Sequence, residues 1–161
     1  MTVEELNGLP AAEAERALLQ CCGSARWARD VAARRPFASA IELYRVGDDV
    51  WWSLDAADWL EAFSRHPRIG EHGKGWSNEE QAAARETSDD VRAALADRNH
   101  DYERRFGHVF LICATGRTAP AILQELEQRM SNEPADELRV AAGEQAKITR
   151  LRLAKLIPST T

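Results

Sequence analysis

Apolar residues recur along this chain at helical spacing, and the places where the pattern breaks carry helix-ending or helix-starting residues. Residues 11–21 place Ala11, Ala14, Leu18 and Cys21 on one face. Cys22-Gly23 interrupts that face, and Ser24 is a side-chain cap for a second helix holding Trp27, Val31 and Ala32. Pro36 disfavours helical geometry at Arg35. A short helix with Ala40, Ile41 and Tyr44 follows, and Gly47-Asp48-Asp49 reads as a turn, which leaves Trp51-Trp52 between helices. Asp55 caps a helix running through Arg65, closed by Pro67.

Ser77 opens helical sequence that reaches Arg105, with a possible interruption at Ser88-Asp89-Asp90, and Gly107 terminates it. Val109 to Ala114 is the one apolar run that periodicity leaves undecided between strand and helix. A single strand makes no sheet, so it reads as a buried extended connector. Thr118 caps a helix with Pro120 in its first turn, ending near Met130, and a final helix spans about 134–157. No repeat, linker or low-complexity tract divides the chain. The expectation is one all-α, multi-helix domain over residues 1–161.

Composition narrows the function classes. Hydrophobic residues make up 44% and charged residues 29%, an ordinary globular balance. A net charge of -5 and a pI near 5.4 argue against a nucleic-acid surface, which needs a basic excess. No run approaches the roughly 18 apolar residues of a membrane span. The first residues, Met1-Thr2-Val3-Glu4-Glu5, lack the basic start and apolar core of a signal peptide. Three cysteines, Cys21 and Cys22 adjacent, make a poor disulfide framework and a poor zinc site, so they read as buried thiols in a reducing cytoplasm.

Chemistry concentrates in residues 66–81. Trp59, Phe63 and His66 fall at i, i+4 and i+7, so His66 extends an apolar stripe to a helix end. A histidine there is more often a structural residue than a proton carrier, and position alone does not choose. Ser77-x-x-Glu80 is a capping box, which by itself accounts for both residues, although the same helix start also offers N–H groups to an anion. On the final helix, Leu138, Ala141, Gln145, Ile148 and Leu156 share one sector with Arg152 in its middle, while Arg150 points to the polar side. An arginine on an apolar face snorkels out or meets an anion. Arg152 is therefore the better candidate anion ligand of the two.

Two other function classes are open to residues of these types. A metal-dependent hydrolase would draw on His66, His72, His100 and His108, but no His-x-x-x-His or Cys-x-x-Cys pair is present. A helical interaction module would use the five tryptophans as anchors, yet Trp27 and Trp59 lie on core stripes.

Several motifs in order resemble one family. They are Cys21-Cys22-Gly23-Ser24, Arg35-Pro36-Phe37, His66-Pro67-Arg68-Ile69-Gly70, Trp76-Ser77-x-x-Glu80-Gln81, Arg105-Phe106-Gly107-His108-Val109-Phe110, Thr115-Gly116-Arg117-Thr118 and Ile148-Thr149-Arg150-Leu151-Arg152-Leu153. Together they resemble the OHCU (2-oxo-4-hydroxy-4-carboxy-5-ureidoimidazoline) decarboxylases along nearly the whole chain. Thr118 stands where that family has serine, and Arg65 where it has a small residue.

The resemblance implies an all-helical enzyme without a cofactor or metal, usually a homodimer, that decarboxylates OHCU to (S)-allantoin in urate breakdown. It implies that His66 and Glu80 are catalytic. It also implies that Pro67, Ser77, Gln81, the backbone of Ile112, Cys113, Ala114, Thr115 and Gly116, and Arg152 contact substrate. The sequence closes on Ile157-Pro158-Ser159-Thr160-Thr161, without a Ser-Lys-Leu address, so the expected compartment is a bacterial-type cytoplasm.

Overall fold

The computed structural model of the chain describes residues 1–68 and 89–159. Among the described residues there are eight helices and no strand, seven of which the sequence pattern predicts while α1 is an addition: α1 (Val3–Gly8), α2 (Ala11–Leu19), α3 (Ala25–Ala32), α4 (Ala40–Ser53), α5 (Ala56–Phe63), α6 (Asp89–Phe106), α7 (Ala119–Arg129) and α8 (Pro134–Leu156). Contacts group the chain into two units, Met1–Ala62 with Ala146–Thr161, and Phe63–Gln145.

In the first unit, the helix starts are set by short polar side chains. Ser24 Oγ accepts from the amide of Trp27 at 3.1 Å, and Ser39 Oγ accepts from that of Glu42 at 3.1 Å. Thr2 and Glu5 form a reciprocal capping box on α1. Asp55 Oδ1 takes the amide of Asp58 at 3.1 Å, the predicted cap of α5. The core holds Trp27, Val31, Leu43, Val50 and Trp51, each at most 2% exposed. Burying side chains of this size contributes about 1.5–3 kcal/mol each.

The turn expected at Gly47 is instead the middle of α4. The indole N–H of Trp27 donates to the Gly47 carbonyl at 2.9 Å. A Cβ on Gly47 would lie 3.2 Å from Leu153 Cδ1 and 3.3 Å from Trp27 Cζ2. Glycine is present for close approach, not for a turn. Trp51 and Trp52 are consequently helical rather than between helices; Trp51 is buried and Trp52 is exposed.

In the second unit, α6 ends as predicted at Gly107, whose φ of 80° is the left-handed conformation glycine tolerates and whose amide donates to Glu103 O at 2.8 Å. Residues 109–114 then run without helix or strand, with Phe110, Leu111 and Ile112 fully buried. This is the buried connector expected from the sequence. Thr118 Oγ1 accepts from the amide of Ala121 at 3.3 Å and starts α7. Leu95, Tyr102, Phe110, Ile112, Ile122 and Leu126 form the core around the connector.

Candidate active site

His66 lies just past the end of α5, with its amide donating to Phe63 O at 3.1 Å. It is 6% exposed, and Phe63 and Trp59 are buried as well, so the stripe read from the sequence is a buried one. Its Nε2 lies 2.6 Å from Oε1 of Gln145 on α8, and Gln145 is fully buried. Arg65, by contrast, is exposed, so its length does not press on His66. Pro67 is half-buried, and Arg68 makes two hydrogen bonds to Glu103, at 2.8 and 3.0 Å. That fork ties the chain leaving His66 to α6.

The connector is held through its backbone. Arg129 Nη1 donates to Leu111 O at 2.9 Å, and the Cys113 amide donates to Oε1 of Glu144 at 3.0 Å. Ile112 and Ala114 are buried, Cys113 is half-buried, and Thr115 and Gly116 are exposed. Gly116 has φ 79°, and the Arg117 amide closes the turn onto Ala114 O at 3.0 Å. Of the amides from Ile112 to Gly116, that of Cys113 is therefore already committed to a side chain. Glu144 and Gln145 are successive residues of α8, so one helical turn grips both the connector and the imidazole.

The other histidines have different settings. His108 packs against the rings of Phe63, Tyr102 and Phe106, and burial holds its pKa below the ordinary value. His100 is exposed on α6. Among the described residues no group of three or more His, Cys, Asp or Glu side chains is arranged to hold a metal ion.

Arg152 belongs to the first unit and is half-buried, whereas Arg150 is exposed and its guanidinium lies 4.3 Å over the Tyr44 ring. The charge of Arg152 acts on the thiols of Cys21 and Cys22. Burial nevertheless dominates and pushes both up to about 12, so they are neutral thiols. Ser77, Glu80 and Gln81, with Trp76 and His72, lie outside the described residues.

Gln145, Glu144 and Glu137 are polar groups buried on α8 to which the sequence reading assigned no role. The signal for Gln145 was its place in the apolar sector of the final helix, the same argument that singled out Arg152. Glu137 carries that signal too, four residues before Ala141.

An all-α chain that seats a buried imidazole against an amide, beside a backbone segment held by charged side chains, is equipped for proton-transfer chemistry. Residues 7–154 match the family model described as OHCU decarboxylase, and the chain belongs to that family. That family is one of decarboxylases, which are carbon–carbon lyases.

The 2-oxo-4-hydroxy-4-carboxy-5-ureidoimidazoline decarboxylase of Xenopus laevis is 33% identical over 132 residues, covering 77% of this chain and 75% of that protein. The uric acid degradation bifunctional protein TTL of Arabidopsis thaliana is 39% identical over 146 residues, covering 84% of this chain and 45% of that protein. The chain thus spans less than half the length of that plant relative. The crystal structure of OHCU decarboxylase in the presence of (S)-allantoin superposes with a TM-score of 0.79 at 40% identity, over 86% of this chain and 94% of the other.

Proposed function

We propose that this chain decarboxylates OHCU to (S)-allantoin without a cofactor, as a homodimer in the cytoplasm. The observation that carries the reading is His66: a buried imidazole at a helix end, bonded to Gln145 within the same unit as the Ile112–Gly116 backbone. Family membership supports the substrate, the motif resemblance supports the dimer, and the cysteine usage supports a reducing cytoplasm.

In the proposed reaction the bond from the ring carbon to the carboxylate breaks and carbon dioxide leaves. The electron pair stays on the ring carbon and spreads into the adjoining ring and carbonyl system. His66 delivers a proton to one face of the neighbouring, ureido-bearing ring carbon. The hydroxyl on the decarboxylated carbon becomes the ring carbonyl as its proton passes to the ring nitrogen, and His66 regains a proton from solvent. Pro67 shapes the wall beside the imidazole. Backbone groups of Ile112, Ala114, Thr115 and Gly116 receive the ring oxygens, and by motif alone Arg152 is assigned an anionic edge of the substrate. By motif, Ser77, Glu80 and Gln81 bind the hydroxyl and ureido groups, with Glu80 close to the departing carboxylate.

Fresh OHCU with and without the purified chain tests this, followed by circular dichroism of the product. The expected result is loss of OHCU faster than its spontaneous decay, with optically active (S)-allantoin formed. Racemic allantoin at the spontaneous rate overturns the proposal. Sedimentation analysis reports separately on the dimer.

A further inference from the structure

The function of Gln145 is the question that the site geometry raises most directly. It sits on the apolar sector of α8, fully buried, where an amide is costly unless bonded. Its Oε1 faces Nε2 of His66 at 2.6 Å. A carboxamide oxygen only accepts hydrogen bonds, so Nε2 is the nitrogen that carries the proton. That bond favours the tautomer protonated at Nε2 over the one protonated at Nδ1. The next residue back, Glu144, is likewise buried and accepts the Cys113 amide at 3.0 Å. The imidazole and the connector are both referenced to the same rigid helical turn.

We infer that Gln145 is a positioning residue of the decarboxylation, acting through His66 by fixing the orientation and tautomer of its ring. The inference rests on His66 being the proton carrier. It adds to that reading a residue 79 positions away in the chain. Proton transfer needs the ring nitrogen aligned with the reacting carbon, and an imidazole free to rotate or to change tautomer is out of place much of the time. A purely structural Gln145 would instead contribute stability and leave turnover unchanged once the chain is folded.

The test uses the full chain labelled with ¹⁵N-histidine, together with Gln145→Met and Gln145→Glu. Methionine retains the volume and removes the acceptor, whereas glutamate retains an acceptor oxygen at the same reach. Two-bond ¹H–¹⁵N spectra of the ring, assigned by comparison with His66→Ala, should show the Nε2–H tautomer in the parent protein. Gln145→Met should lose that preference and lower kcat about tenfold or more with KM within about threefold, a part of what acid–base catalysis contributes. Gln145→Glu should keep the Nε2 proton and recover most of kcat.

An Nδ1–H tautomer in the parent overturns the inference, as does a Gln145→Met protein with parental kcat and spectrum. If Gln145→Met does not fold, the spectrum of Gln145→Glu decides, and loss of the Nε2 proton there overturns it. Should the parent fail to accelerate loss of OHCU, the functional reading fails. In that case the parent spectrum alone shows whether Gln145 holds the ring.

Discussion

Arg129 and Glu137 form an ion pair sealed from solvent, 2.5 Å between Nη2 and Oε2, with side chains 6% and 0% exposed. Arg129 Nε adds a second bond to the same carboxylate oxygen at 2.9 Å, and the Tyr102 hydroxyl donates to it too. Asn132 Nδ2 supplies the other oxygen at 3.0 Å. Burial first, then the neighbouring Glu137, keeps the Tyr102 phenol well above its ordinary pKa, so it remains a donor. Because Arg129 also donates to Leu111 O, the pair joins α7 and α8 to the start of the connector.

A buried charge that loses its counter-ion is far worse than a pair replaced as a whole. Arg129→Met is therefore expected to cost about 3–5 kcal/mol, and the double change with Glu137→Met to recover much of it. Urea unfolding of the three proteins measures this. A single variant within about 1 kcal/mol of the parent would remove the argument.

His66→Ala should lower turnover of OHCU at least about 100-fold, the usual contribution of a positioned acid–base group. It should also lose some stability, since Gln145 would be left buried without this partner, at about 1–3 kcal/mol. Steady-state kinetics beside a thermal melt separates the two effects. Turnover within about threefold of the parent would take the proton-carrier role from His66.

Arg152 and Arg150 should part company. Arg152→Ala is expected to raise KM about 10- to 100-fold, the equivalent of a lost charge-assisted hydrogen bond. Arg152→Lys should restore little, because an ammonium does not reproduce a planar fork. Arg150→Ala should leave kinetics near the parent and cost at most about 0.5–1 kcal/mol of stability, from the exposed contact with Tyr44. Equal kinetic effects at the two positions would show that substrate binding does not follow the helical phase.

Gly47→Ala tests a contest between propensity and packing. Alanine in a helix interior gains about 1 kcal/mol over glycine. Here its Cβ would meet Leu153 and Trp27 at 3.2 and 3.3 Å, and both are almost fully buried, so neither gives way cheaply. Overpacking costs about 1–3 kcal/mol, so net destabilisation is expected in chemical denaturation. A more stable Gly47→Ala protein would mean that the core yields there.

Glu80→Gln separates capping from chemistry at a position argued from sequence alone. Glutamine also serves at the third position of a capping box, so the melt should match the parent. Charge and proton exchange are lost, so most activity should go. Ser77→Ala should instead lose activity together with about 1 kcal/mol of stability. A stable, fully active Glu80→Gln protein would return Glu80 to the cap alone.

The amino-acid sequence by itself determined the helical architecture and most of its punctuation. Ser24, Asp55, Gly107 and Thr118 begin or end helices through bonds that span three or four residues, so their partners are visible in the local sequence. Helical phase, also local, separated half-buried Arg152 from exposed Arg150 and put His66 on the buried stripe.

What only the tertiary structure decided are the pairings between distant positions: Gln145 with His66, Glu144 with Cys113, Arg129 with Leu111, and Trp27 with Gly47. Each joins segments separated by 18 to 79 residues, beyond the reach of any periodicity. Gly47 shows the reason most directly. Locally, Gly-Asp-Asp is a turn signal, and only the arrival of Trp27 and Leu153 makes a missing side chain in mid-helix the favourable choice. Buried polar groups behave the same way, since a carboxylate or amide on an apolar stripe is stable only where folding brings it a partner.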